Sequence, residues 1–257
     1  MNINHISISR KQTFDTCHAQ YKFHYHLKTP SPEPEPFYFV YGKFVHRCAE
    51  EFVKNEGKKQ LGVIVKEILN GTLPLENKGD NITLMSALPE DYKARLPDHL
   101  NSIQKLADQI GTTGITEWSF EYDLDPPNSK MVTGVIDRVI EKNGKYWIID
   151  YKTTKKGKFR ETAESIKTNL QLRCYARVVQ KTYNVDAKNI NTALYYVEGG
   201  NLLGARFTNE SLLAAEKELL KTYNQIVAMT PENAWGRVGP HCNFCQYKKI
   251  CPFKKRN

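Results

Sequence analysis

Asp137, Asp150 and Lys152 are the residues whose types and spacing point most directly to chemistry. Between the two aspartates lies Asn143-Gly144, the mark of a two-residue type I′ hairpin turn, because both central residues must accept a positive φ. The turn sets a register in which Lys142 faces Lys145 and, counting outward, Asp137 faces Asp150. Directly opposed residues have Cβ atoms about 4.5–5.5 Å apart. Strand alternation adds Lys152 to the Asp150 face and turns Ile149 and Tyr151 the other way. Opposed carboxylates repel unless a cation sits between them. Such a hard oxygen site suits Mg²⁺ or Mn²⁺, which polarise a phosphoryl group and activate water. The lysine could then hold the scissile phosphate or the attacking water and neutralise developing charge. A plainer alternative is a solvated hairpin face on which the acids pair with Lys152 and Arg138. The apolar run Tyr146-Trp147-Ile148-Ile149, which would bury the base of the pair, favours a built site.

The cysteines are a second candidate centre. Cys242, Cys245 and Cys251 form a C-x2-C-x5-C run near the C-terminus, and three thiolates so spaced can share one metal centre that needs a fourth ligand. Local candidates are His241 and the distant cysteines. Cys48 and Cys174 fall amid apolar residues of helical patterns and read as small hydrophobes, which leaves Cys17. Six cysteines without a recognisable export signal argue for thiols, a metal or a cluster in a reducing compartment rather than a disulfide scaffold.

The elements that must position these groups follow from periodicity. Residues 7–27 read as one aromatic-rich helix capped by Ser7 or Ser9. Pro30, Pro32, Pro34 and Pro36 then enforce an extended connector. Helical spacing of Val45, Ala49, Phe52 and Val53 predicts a helix over 41–55. Residues 58–110 read as short helices broken by Gly71, Pro74, Pro89 and Pro97, with no legible site. Strands are expected at 117–123, 131–141 and 145–152, a helical pattern at 161–183, a hairpin of 192–198 with 202–208 around Gly199-Gly200, and a helix at 209–229. Strands between helical runs imply an α/β core with helical additions.

Composition bounds the class. The chain has 257 residues, of which 40% are hydrophobic and 25% charged, excluding a collagenous or wholly disordered protein. No apolar run approaches the ~20 residues of a bilayer span, and the N-terminus lacks the pattern of a secretory signal. A cytoplasmic protein without a membrane partner is expected. An excess of 37 basic over 28 acidic side chains, +9, favours an anionic partner such as nucleic acid. Lys155, Lys156, Lys158 and Arg160 follow the Lys145–Lys152 strand and are placed either to face solvent or to track a phosphate backbone.

Gly134-Val-Ile-Asp137-Arg138 followed by Ile148-Ile-Asp150-Tyr-Lys152-Thr153 resembles the PD-(D/E)XK nuclease superfamily, specifically its RecB-like branch. There a G-x-x-D-R strand, a D-x-K strand and a helix bearing Q-x-x-x-Y occur in order; Gln171 and Tyr175 supply the last motif. Gly42-Lys-Phe-Val-His46 matches the upstream G-x-x-x-H helix. The resemblance implies a restriction-endonuclease-like α/β fold: a mixed sheet flanked by helices, with helical additions and a cysteine-ligated C-terminal region. It implies Asp137, Asp150, His46 and the Tyr151 carbonyl as ligands of Mg²⁺ or Mn²⁺, and Lys152 as the catalytic lysine. Gln171 and Tyr175 would contact the phosphate backbone or support the site. Glu117 falls where the branch often has an acid and either touches the site or simply opens its strand; Glu50, one turn from His46, has no clear role. RecB-like nucleases with an iron–sulfur cluster place one cysteine before the core and three at the end, as with Cys17, Cys242, Cys245 and Cys251. That implies a 4Fe-4S cluster stapling the first and last segments, with structural zinc as the alternative.

The reading is therefore one nuclease domain over 1–257: an N-terminal segment 1–30, a helical region 31–114, a catalytic core 115–184, and a C-terminal hairpin, helix and tail 185–257. The expected activity is metal-dependent cleavage of DNA, by an exonuclease on single strands or ends, in repair, recombination, CRISPR adaptation or phage replication. The alternative is a non-catalytic DNA-binding accessory subunit of a helicase–nuclease complex. No G-x-x-x-x-G-K-[ST] loop occurs, so any helicase would be a separate partner.

Overall fold

The computed structural model describes residues 3–33, 35–75, 88–157 and 160–253. Among them, seven α-helices flank a six-stranded mixed sheet. In chain order these are β1 (His5–Ile6), α1 (Ile8–Thr16), α2 (His18–Tyr21), α3 (Phe37–Lys54), α4 (Leu61–Leu69), α5 (Glu90–Ile110), β2 (Ile115–Asp123), β3 (Met131–Lys142), β4 (Lys145–Lys152), α6 (Leu170–Tyr183), β5 (Ile190–Tyr196), β6 (Asn201–Ala205) and α7 (Asn209–Ala228). The sheet order is β1-β3-β4-β5-β6, with β2 also paired to β3. The β1/β3 and β4/β5 pairs are parallel, and β3/β4 and β5/β6 are antiparallel. The parallel β4/β5 pair requires a crossover, which α6 supplies.

The chain divides into two compact units: Met1–Pro36, Ser119–Gly134 and Glu210–Asn257 form one, and Phe37–Trp118 with Val135–Asn209 form the other. In the first, the Ser7 side chain caps α1 by accepting from the Arg10 N–H. The single helix expected over 7–27 is broken: Cys17 is extended (φ −164°, ψ 116°), and the chain resumes as α2 and one π-helical turn, Lys22–His26. Gly134 lies under Phe120, where a Cβ would come within 2.5 Å of the ring, so the G-x-x-D-R glycine makes room for an aromatic.

The second unit holds the larger core. The α3 stripe Tyr41, Phe44, Val45, Cys48, Ala49 and Phe52 packs with Ile64 and Ile68 of α4 and Ile103 and Leu106 of α5. This layer lies against Ile149 and Tyr151 of β4 and Ala193 and Tyr195 of β5. Two expectations need correction here. α3 starts at Phe37, directly after the proline connector, rather than near residue 41. Pro97, expected as a breaker, sits inside the 21-residue α5; it removes one backbone donor, but buried His99, Ile103 and Leu106 hold the helix on the core. The pattern over 161–183 resolves into a 3₁₀ turn, Ser165–Thr168, and α6, whose N-cap Asn169 accepts from the Leu172 N–H.

Candidate active site

The hairpin forms as the turn chemistry requires. Asn143 and Gly144 adopt φ of 54° and 69°, and the ladder runs from Lys142↔Lys145 to Arg138↔Ile149. Asp137 stands one step beyond that last pair, and its Oδ2 accepts from the Tyr151 N–H at 2.7 Å. Arg138, pointing the other way, is 1% exposed and donates to the carbonyls of Gly111 and Thr113. The guanidinium is thus engaged away from the acids, and of the two cations that a plain hairpin face would pair with them only Lys152 does so, 2.6 Å from Asp150.

α3 brings His46 to the end of the hairpin, with Nδ1 3.4 Å from Asp137 Oδ2. Glu117, on β2, completes a group: one ligand atom each from His46, Glu117 and Asp137 all lie within 4.8 Å of one another. Glu117 has φ of 47°, a left-handed conformation that costs a non-glycine residue about 1–2 kcal/mol. Asp150 is 2% exposed, and its Oδ2 lies 2.6 Å from Lys152 Nζ. That amine also donates to Gln171 Oε1 at 2.9 Å, while Gln171 Nε2 donates to the Tyr175 hydroxyl at 2.9 Å. A continuous chain therefore runs from Asp150 through Lys152 and Gln171 to Tyr175.

Titration follows environment. Burial opposes the charged form of Asp137, but His46, the Tyr151 N–H and Lys152 hold its carboxyl below the usual range. Burial, reinforced by Asp137, pushes Glu117 up to about 7. Burial also pushes Asp150 up to about 6, with Lys152 opposing and Asp137 adding. Burial disfavours the His46 imidazolium, yet Asp137 and then Asp150 push it up to about 9. Crowded acids that resist ionising together, beside an imidazole, are what a divalent cation relieves. The donors, oxygens with one nitrogen, fit Mg²⁺ or Mn²⁺.

The remaining candidates disperse. Glu50 lines the same pocket as the group and its charge helps to raise Glu117, but its carboxylate is paired with Arg47 and Lys54 and is not in the ligand group. Lys155 lies 3.5 Å from Asp91 on an exposed loop, and Lys156 is exposed. Arg160 is drawn inward, donating to the Thr154 and Glu198 carbonyls and lying over Tyr196, rather than facing solvent. Lys158 lies outside the described residues. Tyr38 and Phe39, absent from the sequence reading, line the same pocket as His46, Glu117 and Lys152; counting back by fours from His46 reaches Gly42 and Tyr38, the signal that would have found them.

In the first unit, Cys17, Cys242, Cys245 and Cys251 line one pocket with Phe23, Tyr247 and His241. The four are free thiols, and the Arg237 N–H donates to Cys17 Sγ at 3.4 Å. Burial pushes the Cys245 thiol up, and Cys17, Cys251 and Cys242 add to the shift. They do not form a group with ligand atoms all within 4.8 Å, as His46, Glu117 and Asp137 do. Cys48 and Cys174 are buried at 0% and 1% exposure.

Comparison with known proteins adds the family. The model of the PD-(D/E)XK nuclease superfamily matches residues 5–252. A crystal structure from Eubacterium rectale, described as a candidate exonuclease, is similar over 99% of this chain and 91% of its own, with a TM-score of 0.52 and 13% identity. Another solved structure, SSO0001, aligns over 93% of this chain and 96% of its own at 16% identity, with a TM-score of 0.38. No curated protein sequence matches the chain significantly.

Proposed function

The chain belongs to the PD-(D/E)XK nuclease superfamily, and from that premise we propose that it is a Mg²⁺- or Mn²⁺-dependent deoxyribonuclease of the RecB-like branch, forming one nuclease domain over 1–257. Its substrate is DNA with single strands or free ends, cut as by an exonuclease, inside the cell. The observation that carries this reading is the union of a His46–Glu117–Asp137 ligand group with a lysine held by Asp150 and Gln171.

His46, Glu117 and Asp137 would hold the cation, with Asp150 and the Tyr151 carbonyl as further donors. When bound, the ion supplies Lewis-acid polarisation of the phosphodiester and a more acidic water. The protein's own part is positioning. Asp150 and Gln171 fix the Lys152 amine, whose charge then faces the phosphate as negative charge grows in the transition state. Tyr175 braces Gln171 from the next turn of α6 and keeps that amine from swinging away. Lys155 and Lys156, on the loop after β4, supply sequence-independent backbone contacts. An intact Asp137, Asp150 and Lys152 set disfavours the non-catalytic accessory reading.

The four cysteines would hold a 4Fe-4S cluster with a structural role. Structural zinc on the same four thiolates is the alternative. The Arg237 N–H on Cys17 Sγ is the kind of donor that stabilises a thiolate ligand.

The test is cleavage of 5′- and 3′-labelled single strands, duplexes and flaps with Mg²⁺ or Mn²⁺. The wild type should degrade them and should stop with a chelator. Asp150→Ala and Lys152→Ala should lose at least about a hundredfold in rate while melting cooperatively. Normal cutting by both variants would refute the assignment.

A further inference from the structure

The helix that carries His46 bears two kinds of aromatic residue. Tyr41, Phe44 and Phe52 belong to its core stripe. Tyr38 and Phe39, in its first turn, fall off that stripe and are 43% and 53% exposed. Their ring centroids are 4.5 Å apart, with the planes tilted by 40°. Residues four apart share a helix face, so Tyr38, Gly42 and His46 form one row, with Phe39, Lys43 and Arg47 beside it. At 1.5 Å per residue, Tyr38 lies roughly 12 Å along the axis from His46. Between them Gly42 contributes no side chain, and a Cβ there would meet Thr153 Oγ1 at 3.5 Å; both residues line the same pocket as the aromatic pair.

Both rings line the pocket that also contains His46, Glu117 and Lys152. Exposed aromatic surface contributes little to the core, and beside a reactive centre it marks a binding surface. An occupant reaching from the ligand group to these rings must be continuous with a phosphodiester and must offer a flat apolar face, as a nucleobase does. In a duplex, neighbouring base pairs cover both faces of each base; only an unpaired base offers one to a side chain. We infer that Tyr38 and Phe39 stack an unpaired base a short way along the strand from the scissile phosphate and thereby select single-stranded DNA. This rests on the nuclease reading above and deepens it by naming the form of the substrate. Stacking tolerates every base, so no sequence preference accompanies it.

The test is a binding titration of labelled single-stranded DNA by fluorescence anisotropy, without divalent metal, with each base in turn replaced by an abasic residue. Alanine replacement of a stacking aromatic weakens single-strand binding roughly five- to hundredfold. The Tyr38→Ala/Phe39→Ala protein should lose affinity on that scale, and Tyr38→Phe/Phe39→Tyr should restore it. In the wild type one abasic position should carry a penalty that disappears in the alanine variant. Wild-type affinity in the alanine variant, or an abasic penalty of the same size in both proteins, would overturn the assignment. Because binding is read without cleavage, a wild type that binds but never cuts would refute the nuclease reading and leave the stacking result standing by itself.

Discussion

Asp137, Asp150 and Glu117 are three carboxyls in one small volume whose titrations are driven apart by their neighbours. Asp137 is held low by His46 and a backbone donor, whereas burial raises Asp150 to about 6 and Glu117 to about 7. Raised acids bind protons more tightly in the folded chain than in the unfolded one, so their contribution to stability is greatest at low pH and falls as pH rises towards 7. His46, raised to about 9, extends the loss upward, because its contribution is complete below its unfolded value near 6.5 and gone above 9. In chelator, the melting temperature of the wild type relative to Glu117→Gln should therefore fall between pH 5 and pH 8, and saturating Mg²⁺ should cancel the fall. A difference that rises with pH would contradict these environments. At this scale Asp137, Asp150 and Lys152 were legible, since two turn residues dictate their register. Glu117 was legible only as an acid at a strand start, because its positive φ leaves no trace in a periodic pattern. Tyr38 and Phe39 were hidden because exposed aromatics in a first turn look like the edge of a core stripe.

The hairpin and α3 do most of the positioning. Strands β3 and β4 were readable almost to the residue, because alternation and the Asn143-Gly144 turn agree. A one-residue slip would turn Asp150 and Lys152 to the opposite face, so the turn protects the site as well as the sheet. Nothing lies within 4 Å of a Cβ built on Gly144, which makes its replacement a purely conformational test. Gly144→Val should cost about 1–2 kcal/mol through its φ of 69°, lowering the melting temperature by roughly 2–8 °C. An unchanged melting temperature would mean that the turn does not hold the register. The break at Cys17 and the passage of α5 through Pro97 were not legible. Local propensity favours a continuous helix in the first case and a broken one in the second, and tertiary packing overrides both.

On the scale of the whole molecule, each compact unit carries one candidate centre: acids, imidazole and lysine in one, four cysteines in the other. The mixed α/β class was legible because strand runs alternate with helical runs. The division into units was not, since each unit is assembled from segments distant in sequence. An excess of nine positive charges favours an anionic polymer as partner. Among the described residues no helix is long and apolar enough to cross a membrane. The central claim is that a divalent ion sits among His46, Glu117 and Asp137, and the most direct measurement is anomalous diffraction from crystals of anaerobically purified protein soaked in Mn²⁺. The account predicts a manganese peak bounded by those three side chains and a separate iron peak enclosed by Cys17, Cys242, Cys245 and Cys251. Manganese bound elsewhere, or density showing the three ligand side chains turned apart around no ion, would contradict it.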